Sequence, residues 1–271
     1  MGEKGKTTGR QPRINRANDS RQERDMRISK IALIMAMMDE ARPLIDRFGL
    51  RRQSGVFPDP VPMEVFVGKR GPSQLALVWN GRDGDYGADN VATQPATLAA
   101  YLAITKIKPD IIISAGTAGG FVKHGASIGD VYLSRGVFRY HDRRIPYADF
   151  AAYGIGSYPG TDVSAVARDL GCKLGEVSTG NSLETIAKDV EVIDSYGASI
   201  KEMEAAAVAW VCRLFQMPMF AMKTVVDLVD GEKPSHEQFG ENLRMGSARL
   251  QQALVNIIDY CGGKTIAELA K

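Results

Sequence analysis

Glu40, Glu202, Glu204 and Asp227 stand beside apolar runs that lie far apart in the chain. Asp39 and Glu40 follow the run Lys30–Ala36, Glu202 and Glu204 precede the apolar stretch that ends at Phe215, and Asp227 follows Met219–Val226. Thr117 sits within Gly116-Thr117-Ala118-Gly119-Gly120, directly after the apolar Pro109–Ala115. If those runs are strands of an open α/β sheet, ligands bind beyond their carboxyl ends, and these residues share one edge. No nucleophilic Ser-His pair and no cysteine joins them. Each carboxylate also has a structural reading. Glu202 and Glu204 suit the positive end of a helix, Asp39 suits a helix cap, and Asp227 suits the start of a turn with Asp230-Gly231. Acids from three distant segments converging on one edge favour acid/base chemistry over three separate accidents. Glycosidic bond cleavage has that requirement: one carboxyl protonates the leaving group and another activates water. A third can hold ribose hydroxyls. Phosphate is disfavoured as a co-substrate, because Asp83 and Asp85 lie in the glycine loop 80–87 and Glu40 repels anions; Arg82 is the counter-argument. The glycine spacings fit neither the dinucleotide fingerprint nor the P-loop.

Composition removes other classes. The 271 residues carry 34 Lys and Arg against 32 Asp and Glu, a formal charge of +2. Residues 1–27 hold eight cations and four anions, so that segment is +4 and the remainder −2. Without an apolar pattern, 1–27 reads as a disordered basic tail outside a single domain at 28–271. It lacks the apolar stretch of a secretory signal, and no aromatics interleave its cations, so nucleic acid is not an expected partner. No apolar run approaches the roughly 20 residues that span a bilayer. Three scattered cysteines (Cys172, Cys212, Cys261) and three scattered histidines (His124, His141, His236) predict no disulfide, metal site or cofactor, and fit a reducing cytoplasm.

The elements that must position the acids are legible as alternating patterns. Lys30–Ala36 reads as a buried strand and Asp39–Phe48 as a helix, with Pro43 tolerable near its first turn and Gly49 at its stop. Met63–Gly68 and Gln74–Trp79 read as a hairpin turning at Arg70-Gly71-Pro72. Ala88–Thr105 reads as a helix disturbed by Pro95. Pro109–Ala115 is a strand buried on both faces that ends in a sharp glycine loop. Asp130–Phe138 is a strand, and 140–161 is one long aromatic-rich loop. Asp162–Leu170 is a helix, Lys173–Ser178 a strand, Glu204–Phe215 a helix, Met219–Val226 a strand and His236–Cys261 a long amphipathic helix. The alternation predicts one α/β domain with a largely parallel twisted sheet.

Five motifs resemble a known family. Ala36-Met37-Met38-Asp39-Glu40-Ala41, Ile113–Gly120, Ile128-Gly129-Asp130-Val131, Lys201–Ala207 (KEMEAAA) and Val226–Gly231 (VDLVDG) look like 5'-methylthioadenosine/S-adenosylhomocysteine nucleosidases. Lys108–Ile112, His141–Pro146 and Asp227–Pro234 are similar to the plant-type methylthioadenosine nucleosidase branch. The resemblance runs in order from about Ile28 to the C-terminus. It implies a three-layer αβα nucleoside phosphorylase/hydrolase fold with a mixed central sheet, a homodimer, and hydrolysis of methylthioadenosine to adenine and methylthioribose in methionine salvage. S-adenosylhomocysteine stays open as a second substrate. Carried over by position, the resemblance implies that Glu40 activates water, Asp227 protonates adenine N7 and Glu204 holds the ribose hydroxyls. Met203 falls beneath the sugar, Met37 near the ribose, and Leu183 where a base-stacking residue is expected. Thr117, Ala118, Gly119, Lys201 and Glu202 fall at substrate-contacting positions. The aromatic stretch after Tyr140 falls where a partner subunit closes the alkylthio pocket. Two residues depart from the pattern: Val226 stands where Ser or Thr is usual, and Asn181 where Asp is usual. A purine nucleoside phosphorylase of the same fold and a catalytically weak nucleoside-binding relative are the alternatives.

Overall fold

A computed structural model describes residues 27–271, so the expected tail at 1–27 lies almost wholly outside the described residues. Among the described residues the chain lays down ten strands and seven α-helices. β1 (Lys30–Met35) leads into α1 (Met38–Phe48), then β2 (Arg51–Arg52), β3 (Glu64–Arg70) and β4 (Ser73–Trp79). α2 (Thr93–Leu102) continues as a short π-helical turn and precedes β5 (Ile111–Gly120) and β6 (Val131–Tyr140). α3 (Ala148–Ile155), β7 (Tyr158–Pro159), α4 (Ser164–Leu170), β8 (Lys173–Thr179), α5 (Ala187–Tyr196) and β9 (Ile200–Glu202) follow. α6 (Ala205–Phe215), β10 (Met219–Leu228) and α7 (Ser235–Cys261) complete the order.

One mixed sheet joins all the strands. β1 pairs in parallel with β4 and β5, β5 with β10, and β8 with β6 and β9. β3 with β4, β10 with β6, and β5 with β9 are antiparallel. Part of the sheet is closed. β5, β10, β6, β8 and β9 close on themselves, while β1, β4, β3 and β2 extend from β5 as an arm. Helices cover both faces, giving the three layers. One face packs alanines of α2 and α6 (Ala96, Ala99, Ala100, Ala205, Ala206, Ala209) against Ile112, Ala221 and Val225. Small side chains let those two helices approach closely. The other face buries Leu44 of α1, Val166 of α4 and Leu250, Leu254 and Ile257 of α7 against Leu33, Ile113 and Phe220. No helix among the described residues is long and apolar enough to cross a membrane.

Several expectations need correction. β5 runs on through Gly116–Gly120 instead of ending in a loop, because β10 and β9 supply partners along that stretch. The 140–161 segment is not one loop; it folds α3 and the short β7, which pairs with β6. α2 starts at Thr93, so Pro95 lies in its first turn, where a missing N–H costs nothing. Pro43 is the sixth residue of α1, just past the first turn. α5 and β9 were not anticipated, because their patterns are short and weakly periodic. The hairpin holds: Arg70 pairs with Ser73 across Gly71-Pro72, and Gly71 adopts the positive φ that tight turns require.

Candidate active site

Where β5 meets β1, β9 and β10, the closed part of the sheet leaves a cavity of about 260 Å³. Met37, Glu40, Thr117, Ala118, Gly119, Leu183, Lys201, Glu202, Met203, Glu204 and Asp227 all line it. Every residue that the resemblance gives a role is therefore brought to one place. Asp39 is not: it is exposed at the second position of α1. The cap expected of it is supplied from the 80–92 loop, where Asp89 accepts the Met38 N–H at 2.8 Å.

The glycines of β5 explain how two acids fit against one strand. A Cβ on Gly116 would lie 3.1 Å from Glu40 Oε2, and one on Gly119 only 2.7 Å from Asp227 Oδ2. Without side chains there, the carboxyls lie directly on the backbone. Glu40 Oε1 accepts both the N–H of Thr117 at 2.8 Å and its hydroxyl at 2.7 Å. Oε2 lies over Gly116. Burial raises the Glu40 pKa above the usual glutamate value, against the lowering effects of Thr117 and Lys223.

Asp227 lies in β10 at a bulge. The register with β5 shifts between Val225 and Asp227, so Val226 and Asp227 both line the cavity. Asp227 is 2% exposed, and its Oδ2 has no hydrogen-bond partner among the described residues. Burial raises its pKa; the side chain of Ser235 and the charge of Lys201 offset part of that rise. Val226 therefore does not leave Asp227 without a hydroxyl, because Ser235 at the start of α7 provides one.

The two neighbouring glutamates part company. Glu202 accepts the N–H groups of Glu204 at 3.0 Å and Ala205 at 2.9 Å, the hydroxyl of Thr179, and Lys223 Nζ at 2.9 Å. A carboxylate has about four lone-pair sites, so Glu202 is saturated as the cap of α6. Glu204 instead turns its side chain into the cavity. Oε1 accepts the Ala92 N–H at 3.0 Å, and Oε2 lies 3.6 Å from Lys223 Nζ. Burial raises its pKa, against the opposing charge of Lys223. Ala92 reaches Glu204 with φ 76° and ψ −171°, a backbone region that essentially only glycine occupies without strain.

Lys223 escaped the sequence reading. It is 2% exposed, lines the cavity and contacts Glu202 and Glu204, while its charge also reaches Glu40. Burial alone would lower its pKa, but the surrounding carboxylates outweigh that and push it up to about 12. A signal existed: a lysine in the middle of the apolar run Met219–Val226 must find a buried counter-charge. Phe239 of α7, Val91, Ser114 and Ile34 also line the cavity. Asn181 lies outside it. Its side chain accepts from the Thr93 hydroxyl at 2.7 Å and donates to Asp142 at 2.8 Å. An aspartate could not make the second bond, which accounts for the amide. Arg82 sits near Asp89, 3.6 Å away, and does not line the cavity. Among the described residues no group of His, Cys, Asp and Glu has the arrangement of a metal site.

Residues 30–259 match the phosphorylase superfamily. A 5'-methylthioadenosine/S-adenosylhomocysteine nucleosidase of Arabidopsis thaliana is 40% identical over 89% of this chain and 95% of its own length. A 5'-methylthioadenosine nucleosidase of the same plant is 39% identical over 89% of this chain and 91% of its own. The structure of Arabidopsis thaliana 5'-methylthioadenosine nucleosidase in apo form superposes with a TM-score of 0.87, at 38% identity, covering 90% of this chain and all of that one. A cavity ringed by three pKa-raised carboxyls, on a fold and sequence shared almost end to end with these relatives, leads to one assignment: the chain belongs to the phosphorylase superfamily and, within it, to the 5'-methylthioadenosine/S-adenosylhomocysteine nucleosidase family.

Proposed function

We propose that this chain hydrolyses the N-glycosidic bond of 5'-methylthioadenosine, releasing adenine and methylthioribose. The observation that carries this reading is Asp227, a buried carboxyl with an unpartnered oxygen in the cavity. Adenine leaves readily only once protonated, and a desolvated carboxyl holds a proton at higher pH than usual. In this reading Asp227 donates that proton to N7. Glu40, held through Oε1 by Thr117, offers Oε2 to the attacking water. Glu204 is oriented by Ala92 and Lys223 to accept the ribose hydroxyls. Met203 and Met37 are assigned to the sugar, Leu183 to the base, and Ala118 and Gly119 to the backbone wall. The developing oxocarbenium charge would be favoured by the surrounding acids.

Phosphorolysis is the second reading. The lysines lining the cavity are Lys201 and Lys223, and both already bind acceptors of the chain itself. An incoming phosphate would meet Glu40 and Glu204 with no free cation lining the cavity among the described residues. Incubation with methylthioadenosine in phosphate-free buffer tests both readings. Adenine release independent of phosphate is expected, while an absolute phosphate requirement would overturn hydrolysis. The same assay with S-adenosylhomocysteine decides that substrate.

The working unit is proposed to be a homodimer in the cytoplasm. Tyr147, Phe150 and Tyr153, at and within α3, are 72%, 54% and 56% exposed, an aromatic patch suited to a second copy. Three free thiols fit a reducing compartment. Sedimentation at micromolar concentration tests the dimer; a monomer would refute it.

A further inference from the structure

Lys201 lines the cavity from β9, yet its ammonium is bonded to the chain and not directed at a ligand. Nζ donates to the carbonyl oxygen of Ser182 at 3.1 Å and to that of Leu183. These carbonyls belong to the segment 181–186, which brings Leu183 to the cavity. The far side of the segment is tied down too. Glu184 accepts the backbone N–H of His236 at 3.0 Å and pairs with its Nδ1 at 2.8 Å, at the start of α7. α7 in turn supplies Phe239 to the cavity wall and Ser235 beside Asp227.

The residue is 3% exposed. An ammonium that deep is costly unless acceptors and negative charge surround it. The two carbonyls supply the acceptors. Burial lowers the Lys201 pKa, and negative charge, first from Asp227, then from Glu184 of the segment, Asp189 of α5 and Asp142 after β6, offsets part of that fall. His141, after β6, feels the same cation: burial and the Lys201 charge push its pKa down to about 4. Glu202 sits beside Lys201 on β9, and Glu40, Glu204 and Lys223 line the remainder of the cavity. Within this set, Asp227 is faced by one cation and one anion, Lys201 and Glu184, together with the Ser235 side chain.

We propose that Lys201 is a positioning residue, clamping the Leu183 segment over the cavity and supplying the positive charge that Asp227 faces. The proposal rests on the hydrolase reading, in which Asp227 must be protonated to act. A cation nearby favours the carboxylate form, so Lys201 opposes the burial that favours the acid. Its neutralisation lets Asp227 keep its proton to higher pH. Loosening of the Leu183 segment weakens the grip on the base.

Adenine release from methylthioadenosine is measured from about pH 5 to about pH 10 for wild type, Lys201→Met and Lys201→Arg. In Lys201→Met the basic limb of kcat should move up by about one pH unit, and KM should rise severalfold. Lys201→Arg should keep the wild-type limb. An unmoved limb in Lys201→Met, or an equal shift in Lys201→Arg, overturns the proposal, because a merely structural lysine would change KM and leave the limb in place. Should Lys201→Met fail to fold, Lys201→Gln takes its place under the same criterion. Wild-type protein that releases no adenine would instead sink the hydrolase reading, and the two failures are told apart by that control.

Discussion

Lys223→Met should unfold far more easily than wild type at neutral pH and recover on acidification. The lysine is 2% exposed, with Nζ 2.9 Å from Glu202 and 3.6 Å from Glu204. At an effective dielectric of about 20, attractions at those distances are worth about 6 and about 5 kcal/mol before any desolvation cost. Removing one partner of a buried pair leaves the other charges uncompensated, and after relaxation the net loss is about 3–5 kcal/mol. The pH dependence follows from the carboxyls left behind. Glu40 and Glu204 already have folded pKa values raised above 4.5, and loss of the cation raises them further. A carboxyl with a raised folded pKa contributes stability below its unfolded pKa, and that contribution is lost as pH rises through the folded value. The deficit should therefore be small near pH 4.5 and grow toward neutrality. Urea unfolding of both proteins at several pH values in that window measures it. A deficit below about 1 kcal/mol at neutral pH, or one that grows as the pH falls, would refute the idea that Lys223 is the counter-ion of this acid cluster.

Other outcomes are open to direct measurement. Asp227→Asn and Glu40→Gln should each cut turnover by about 10²- to 10⁴-fold while thermal unfolding stays at or above wild type; near-normal rates would remove that residue from the chemistry. Gly119→Ala adds a Cβ 2.7 Å from Asp227 Oδ2 and 2.7 Å from Val229 Cγ2, so the acid must shift and kcat should fall by roughly 10²-fold, with an unchanged rate as the refuting result. Ala92→Gly relieves a φ of 76° and should be neutral or stabilising by about 1 kcal/mol, and clear destabilisation would show that the strain is absent. The pH profile of kcat should fall at high pH as Asp227 loses its proton and at low pH as Glu40 gains one, since burial raises both; a flat profile would contradict the assignment.

The acids themselves were legible in the sequence. Glu40, Glu204 and Asp227 stand beside apolar runs, and the physics of α/β sheets puts such residues at one edge. The motifs around them name a family, and most strands and helices could be read from periodicity, because burial on one or both faces leaves a repeating pattern. Roles within the set could not be read. Glu202 and Glu204 look alike as neighbours, and only tertiary contacts make one a saturated helix cap and the other a cavity group. The glycine stretch looked like a loop, because glycine is a breaker by local propensity; its strand character comes from partners on β10 and β9. Lys223 and Lys201 owe their states to groups between 12 and about 180 residues away in sequence, and the hydroxyl beside Asp227 comes from Ser235, not from the residue before it. Sequence thus determined which acids share the cavity. The closure of the sheet decided how deeply they are buried, and burial is what sets the proton affinity on which the proposed chemistry depends.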